Sequence, residues 1–600
     1  MEIKQKKRDE IPAKYKWKLE NIFQTDDAWR KAADAVKAEI ESFEEFEGTL
    51  ATGEAIFGCL EKFFELEEMN GKVDLYASLK KSEDANIAAS QAMWDIADGI
   101  NTDVNAAAAF IKPEILAHDV ATIRGFIANT PGLKKYEHYL ENIMREKAHV
   151  LSAEVEEILA NVEELGYAPE NIYDMLISAD LKFGNIIDEN GNTVEVTDSR
   201  YDNLKASRDR RVRKDVFETF WASYWKLKNT FATMLSSGIK KDVFFAKTRK
   251  YPSSLDAALS ESNIPRAVYE NLIATVHESL PVLQRYFDIR KKALGLDELH
   301  MYDRYAPLVE GVETKIPYEE AKKMVSEALA ILGKNYVADM EAGVEQGWID
   351  VYASEGKEPG GFQAGAYGTH PYILINYEDR ILDVGTLSHE LGHAMHCYYS
   401  YQNQPNVYAD APTFTSEVAS TVNEVLMMEH LIKTTTCPKT RIYLLDEYIG
   451  MFRDNMMRQV LFAEFEMIVH SMEENDEPLT LEAINEVYRS LNVKYYAPAM
   501  IIDEDIDIEW AWIPHFYMNF YVYQYSTGFA AALAFAKKLQ SGCPHALEDY
   551  LGFLKAGDSD YPIEILKKAG LDMSSPAPVK DTMQVFERLV DELEKTVGDN

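Results

Sequence analysis

The segment TLSHELGHAMH (386–396) places three histidines and a glutamate, His389, Glu390, His393 and His396, within eight positions. On a helix, His389 and His393 project from one face about 6 Å apart in rise. Two imidazoles so placed can converge on one metal ion with bonds of about 2.0–2.1 Å. Glu390 is turned roughly 100° from His389 and roughly 60° from His393, so it flanks such an ion and suits a general base acting on water. His396 lies on the same side but about 10 Å beyond His389 along the axis, too far to share the ion. Packing, or a hydrogen bond from outside the metal shell, is the role expected for it.

A third ligand is required. The extended motif HExxHxxGxxH would need Gly at 396 and His at 399, where this chain has His396 and Tyr399, so that class is excluded. A glutamate on a following helix remains. The segment PTFTSEVASTVNEVLMMEHL (412–431) reads as a helix capped near Thr415 or Ser416, with Glu417, Glu424 and Glu429 as acidic candidates. Glu417 and Glu424 share a face two turns apart, so only one can reach the ion, and spacing favours neither. Glu424 could instead be the carboxylate that orients a ligating histidine from behind.

Near the C-terminal end, AWIPHFYMNFYVYQYSTGFAA (511–531) concentrates aromatics with polar tips. A helix beginning after Pro514 would align Tyr517, Tyr521 and Tyr525 in one stripe, with Phe516, Phe520 and Tyr523 on the adjoining face. Phenylalanines there read as core. The tyrosine hydroxyls with His515 read as the wall of a wet cleft, able to donate to an oxyanion formed when water attacks a carbonyl.

The elements that must position these groups are mostly helical. Glycine (30) and proline (21) are sparse in 600 residues, a length that favours two or more packed lobes. Residues 1–180 read as successive amphipathic helices, the first capped by Thr25 or Asp26, with similar patterns at 55–80, 87–112 and 152–165. One hairpin is expected in NIIDENGNTVEVTD (185–198) around Asn190-Gly191. Helices resume with a buried stripe of Phe217, Phe220, Trp221, Tyr224 and Trp225. The expected organisation is an N-terminal helical domain over 1–200 ending in the hairpin and a catalytic domain over 201–600. The glycine-rich stretch 358–379 ends in a β-prone run, Tyr372 to Tyr377, whose edge could pair with an extended peptide.

The formal charge is −38, from 100 acidic and 62 basic residues, which argues against a nucleic-acid partner. Cys59, Cys397, Cys437 and Cys543 have no CxxC spacing, which fits a reducing cytosol. The charged N-terminus is no secretory signal and no apolar run is long enough to span a bilayer, so a cytoplasmic protein without a membrane partner is expected. Composition does not indicate the oligomeric state.

The segments RDEIPAKYKWKLENIF, GGFQAGAYGTHPYILINYED, TLSHELGHAMH, PTFTSEVASTVNE and IPHFYMNFYVYQYSTGF, in this order over residues 9–530, resemble oligoendopeptidase F, a branch of the thimet-oligopeptidase-like M3 metallopeptidases. The resemblance implies a mainly α, two-lobed zinc peptidase with a deep central channel and a small β-sheet near the active site, cleaving short unstructured peptides. By position it makes His389, His393 and Glu417 ligands of one Zn2+ and Glu390 the catalytic base. His515, Tyr521 and Tyr525 align with the family's transition-state donors. Many relatives have Asn where this chain has His370, whose role is open. Two rivals stand beside the endopeptidase. An aminopeptidase of the same zinc-helix class is disfavoured because GxMEN is absent from the chain, and a non-catalytic peptide-binding scaffold because the His389, Glu390, His393 and Glu417 set is intact.

Overall fold

The computed structural model describes residues 6–309, 312 and 315–598. The fold is mainly α, with five short strands among the described residues. The chain forms two compact units, each assembled from three separate stretches. The first comprises Met1–Ala148, Glu313–His430 and Phe535–Leu571, the second His149–Val312, Leu431–Ala534 and Asp572–Asn600. A single cut near 200 does not separate them. The hairpin there is a local event, whereas each core closes through contacts between segments hundreds of residues apart.

In the first unit, the helices Asp26–Phe43, Gly53–Glu83 and Ala88–Ala108 bury Trp29, Val36, Ile56, Leu60, Val73 and Ile100 against one another. Thr25 caps the first of them, its hydroxyl accepting the Ala28 N–H at 3.1 Å. The same core takes in Tyr372 and Leu374, which ties the helices to a three-stranded sheet. That sheet joins β3 (Ile349–Asp350), β4 (Phe362–Ala364) and β5 (Tyr372–Leu374) in the order β3-β5-β4, with β5 parallel to β3 and antiparallel to β4. The β-prone run is therefore the central strand, not an edge. All three β5 residues are buried, which an apolar run without alternation allows. Among the described residues β4 pairs with β5 alone, so β4 carries the open edge.

A buried lysine fastens this sheet. The Lys357 ammonium donates to the carbonyls of Asp350, Tyr352 and Ile375 and pairs with the Asp350 carboxylate at 2.8 Å, which also accepts from Arg8 at 2.7 Å. Such saturation offsets the cost of burying the charge.

The second unit holds the expected hairpin. β1 (Asn185–Ile187) pairs antiparallel with β2 (Thr193–Glu195), and Gly191 in the turn has φ +81°. The aromatic stripe of helix Arg210–Lys226 is likewise present, with Phe217, Phe220, Trp221 and Tyr224 buried and Trp225 half-buried. No helix among the described residues is long and apolar enough to cross a membrane.

Candidate metal centre

The HExxH helix runs from Ile381 to Asn403. Its N-cap residue is Arg380. Asp383 acts from inside the first turn, its carboxylate accepting the N–H groups of Glu378 (2.8 Å) and Arg380 (3.0 Å), while Thr386 lies further into the helix. The following helix, Thr413–Thr434, also starts earlier than Thr415.

These two helices cross at Gly392. A Cβ there would lie 2.5 Å from Ser420 Cα and 2.7 Å from the Ala419 carbonyl oxygen, so the backbones touch only because residue 392 has no side chain. One turn away the helices are pinned by reciprocal bonds: Ser388 Oγ donates to the Asn423 carbonyl at 3.1 Å, and Asn423 Nδ2 to the Ser388 carbonyl at 3.2 Å. The Tyr336 hydroxyl donates to Asn423 Oδ1 at 3.2 Å. Gly392→Ala is expected to force the helices apart, at a cost of about 1–3 kcal/mol. A lower thermal unfolding midpoint with weakened metal binding would show this, and an unchanged midpoint would contradict it.

This crossing brings the predicted residues together. Glu417 Oε2 lies 3.5 Å from His389 Nε2 and 3.2 Å from His393 Nε2. The three donor atoms all fall within 4.8 Å of one another. Tetrahedral zinc with bonds of about 2.0–2.1 Å sets its ligand atoms roughly 3.3 Å apart, so the donor set fits that ion in both chemistry and spacing. Glu424 is also in place, behind the cluster: its Oε2 lies 3.3 Å from His389 Nδ1. Both acidic residues of the shared face are thus engaged, one with each nitrogen of the His389 ring.

Charge follows the geometry. Burial works to lower the His389 pKa, but the Glu424 hydrogen bond and charge outweigh it and the net shift is upward. Burial works to raise Glu417, yet the hydrogen bond and charge of His393, with His389, hold it at about 2. Glu390 is 6% exposed, its pKa is raised by burial, and its Oε2 takes no hydrogen bond from any described residue. A buried carboxylate oxygen with an open lone pair beside the three donors is what a base needs.

His396 stays outside this cluster, its ring tilted against Phe553 with ring centroids 5.0 Å apart. His370 stacks on Trp348, 5.8 Å between ring centroids, and contacts Asn21 Nδ2 through Nε2 at 2.9 Å. Its place is in packing.

The tyrosine segment, in the second unit, differs from its expected helix. Pro514–Tyr517 is a single 3-10 turn, Asn519 (φ +41°) and Phe520 (φ +59°) adopt left-handed backbone, and the α-helix starts at Tyr523. The buried Glu466 holds this reversal by accepting the Phe520 N–H at 3.1 Å. Tyr517 therefore leaves the stripe and packs against Tyr173, 4.7 Å between ring centroids. Tyr521 and Tyr525 still gather at His515: the Tyr525 hydroxyl is 3.1 Å from His515 Nε2, and the Tyr521 ring lies 6.0 Å from the imidazole and 5.5 Å from the Tyr525 ring. Burial, then the Arg458 charge, lowers the His515 pKa, favouring neutral imidazole. Residues 392, 388 and 423 escaped the sequence reading because their work is done across a helix crossing. The glycine inside HELGH was the one available signal.

Comparison with known proteins bears on the family of the chain. Residues 203–585 match the family model of Peptidase family M3, and residues 114–183 that of Oligopeptidase F. Oligopeptidase PepF of Bacillus subtilis (strain 168) is 41% identical, over 98% of this chain and 88% of its own length. Group B oligopeptidase PepB of Streptococcus agalactiae serotype III (strain NEM316) is 37% identical over 98% of each chain. Among solved structures, oligoendopeptidase-F from Enterococcus faecium superposes with a TM-score of 0.74 at 36% identity, over 96% of this chain and 100% of that one. The chain belongs to peptidase family M3.

Proposed function

We propose that this peptidase is a zinc-dependent endo-oligopeptidase that hydrolyses internal bonds of short, unstructured peptides. The observation that carries the reading is the convergence of His389 Nε2, His393 Nε2 and Glu417 Oε2 beside the unpartnered carboxylate oxygen of Glu390. A zinc ion held by those three groups would act as a Lewis acid toward the scissile carbonyl and make water acidic enough to deprotonate near neutral pH. Glu390 takes the proton from the attacking water and delivers it to the departing amine. Burial suits it to both tasks by bringing its pKa up toward that of a proton carrier. Glu424 fixes the His389 ring and keeps its Nε2 turned to the site. The open edge of β4 offers main-chain groups to an extended substrate. His515, Tyr521 and Tyr525 supply hydrogen-bond donors for the oxyanion, a role supported by their resemblance to the family's donor segment and their mutual contacts. A reducing cytosol suits the four unpaired cysteines.

Internally quenched peptides blocked at both ends test the reading. Cleavage at internal bonds, lost on chelation and restored by zinc, is expected. Intact blocked peptides beside trimmed unblocked ones would show an exopeptidase, and binding without cleavage a scaffold. In the same assay Tyr525→Phe should lower kcat by about 10²-fold with little change in KM. A wild-type kcat would remove Tyr525 from the mechanism.

A further inference from the structure

A cavity of about 510 Å³ in the first unit opens alongside His393, in the size range of sites that hold small ligands. Its wall includes Glu67 and Asp74 of the helix Gly53–Glu83, Asp410, and β4 residues Gln363 and Ala364. No lysine or arginine is among the described residues lining it. Glu67 and Asp74 are half-buried and neither is paired with a cation among the described ion pairs. Burial, and then the charge of Asp410, raises the Glu67 pKa; burial and Asp98 do the same for Asp74. The wall thus concentrates carboxylates with no lysine or arginine among them, the Tyr401 hydroxyl donating to Asp410 at 2.7 Å.

His396 points independently to a ligand. It is 4% exposed and lines this cavity, yet its ring nitrogens make no hydrogen bond with any described residue. An imidazole with no protein partner at a cavity wall is free to bond a group that enters the cavity. Burial lowers its pKa to about 3, so the ring is neutral and one nitrogen can accept a hydrogen bond. A metal ion is a poor fit for the carboxylates, because His389, His393 and Glu417 are the only described group whose donors converge closely enough to hold one. An organic cation on a long stem fits better, since its charge can be shared among separated carboxylates while its N–H groups reach His396. β4 supplies the route: a peptide paired along its open edge would turn alternate side chains toward the wall that Gln363 and Ala364 help to form.

We infer that the cavity walled by Glu67, Asp74, Asp410 and His396 is a specificity subsite for a lysine or arginine side chain of the substrate, near the bond to be cut. The inference rests on the peptidase reading proposed above. Quenched, doubly blocked peptides identical except for lysine or its uncharged isostere norleucine at one position test it. The variable position is walked from two residues before the cleaved bond to two after it. At one position lysine should raise kcat/KM by about tenfold over norleucine, and in the Glu67→Gln/Asp410→Asn double variant that ratio should fall to about one. Because the ratio is taken within one preparation, a lower folded fraction does not alter it. Cleavage with no lysine preference at any position, or a preference that survives the double substitution, overturns the subsite while leaving the peptidase reading intact. Failure to cleave either series overturns that reading and the subsite with it.

Discussion

Glu390→Gln is expected to lower kcat by about 10³–10⁴-fold while leaving the fold and the metal site in place. The substitution keeps the size and one acceptor oxygen of the side chain, so the buried position should tolerate it. A carboxamide cannot take a proton from water or return one to an amine, and no other described carboxylate combines burial, an unpartnered oxygen and adjacency to all three donors. Glu417 is held at about 2 and faces the two imidazoles, which leaves it a poor base. The check is single-turnover hydrolysis of a quenched peptide with zinc content measured on the same sample. A loss of less than about tenfold would mean that another group carries the proton.

Glu417→Ala is expected to weaken zinc binding by about 10³-fold or more, because the donor it removes is the one facing both imidazoles. Glu424→Gln provides the contrast. Its carboxylate meets only His389 Nδ1, so its loss should weaken zinc by about 10–100-fold and leave measurable turnover when zinc is in excess. Competition against a fluorescent zinc chelator separates the two. Equal effects, or the reverse order, would exchange the roles of the two glutamates.

Those roles mark how far the sequence could be read. His389, Glu390 and His393 were legible because the helical period alone fixes their relative directions. Glu417 and Glu424 were not separable by spacing, since both lie on one face of one helix. What distinguishes them is where the other helix crosses, and that is decided by contact between Gly392 and Ser420. The tyrosine cluster was legible in content but not in conformation. Helical phase predicted Tyr517 beside Tyr521, yet the left-handed pair Asn519 and Phe520, held by Glu466 from 54 residues away, turns Tyr517 into the core. β5 was recognisable as a strand, while its central place depends on partners that an apolar run does not name. The hairpin near 190 is where it was expected because a tight turn is a local property, although its loop is the three residues Glu189, Asn190 and Gly191, with positive φ at Gly191 alone. The assembly of each unit from three stretches is not local, and no composition shift announces it. The acidic cavity is least legible of all: Glu67 and Asp410 are 343 positions apart and meet only in the folded chain.

The central claim is that His389, His393 and Glu417 hold one zinc ion while Glu390 moves the proton. Zinc per chain and internal cleavage of a doubly blocked peptide, measured together on the unsubstituted protein and on Glu390→Gln, test it most directly. About one zinc in each protein and turnover only in the first are expected. Comparable turnover in both, or turnover that persists in protein stripped of zinc, would contradict it.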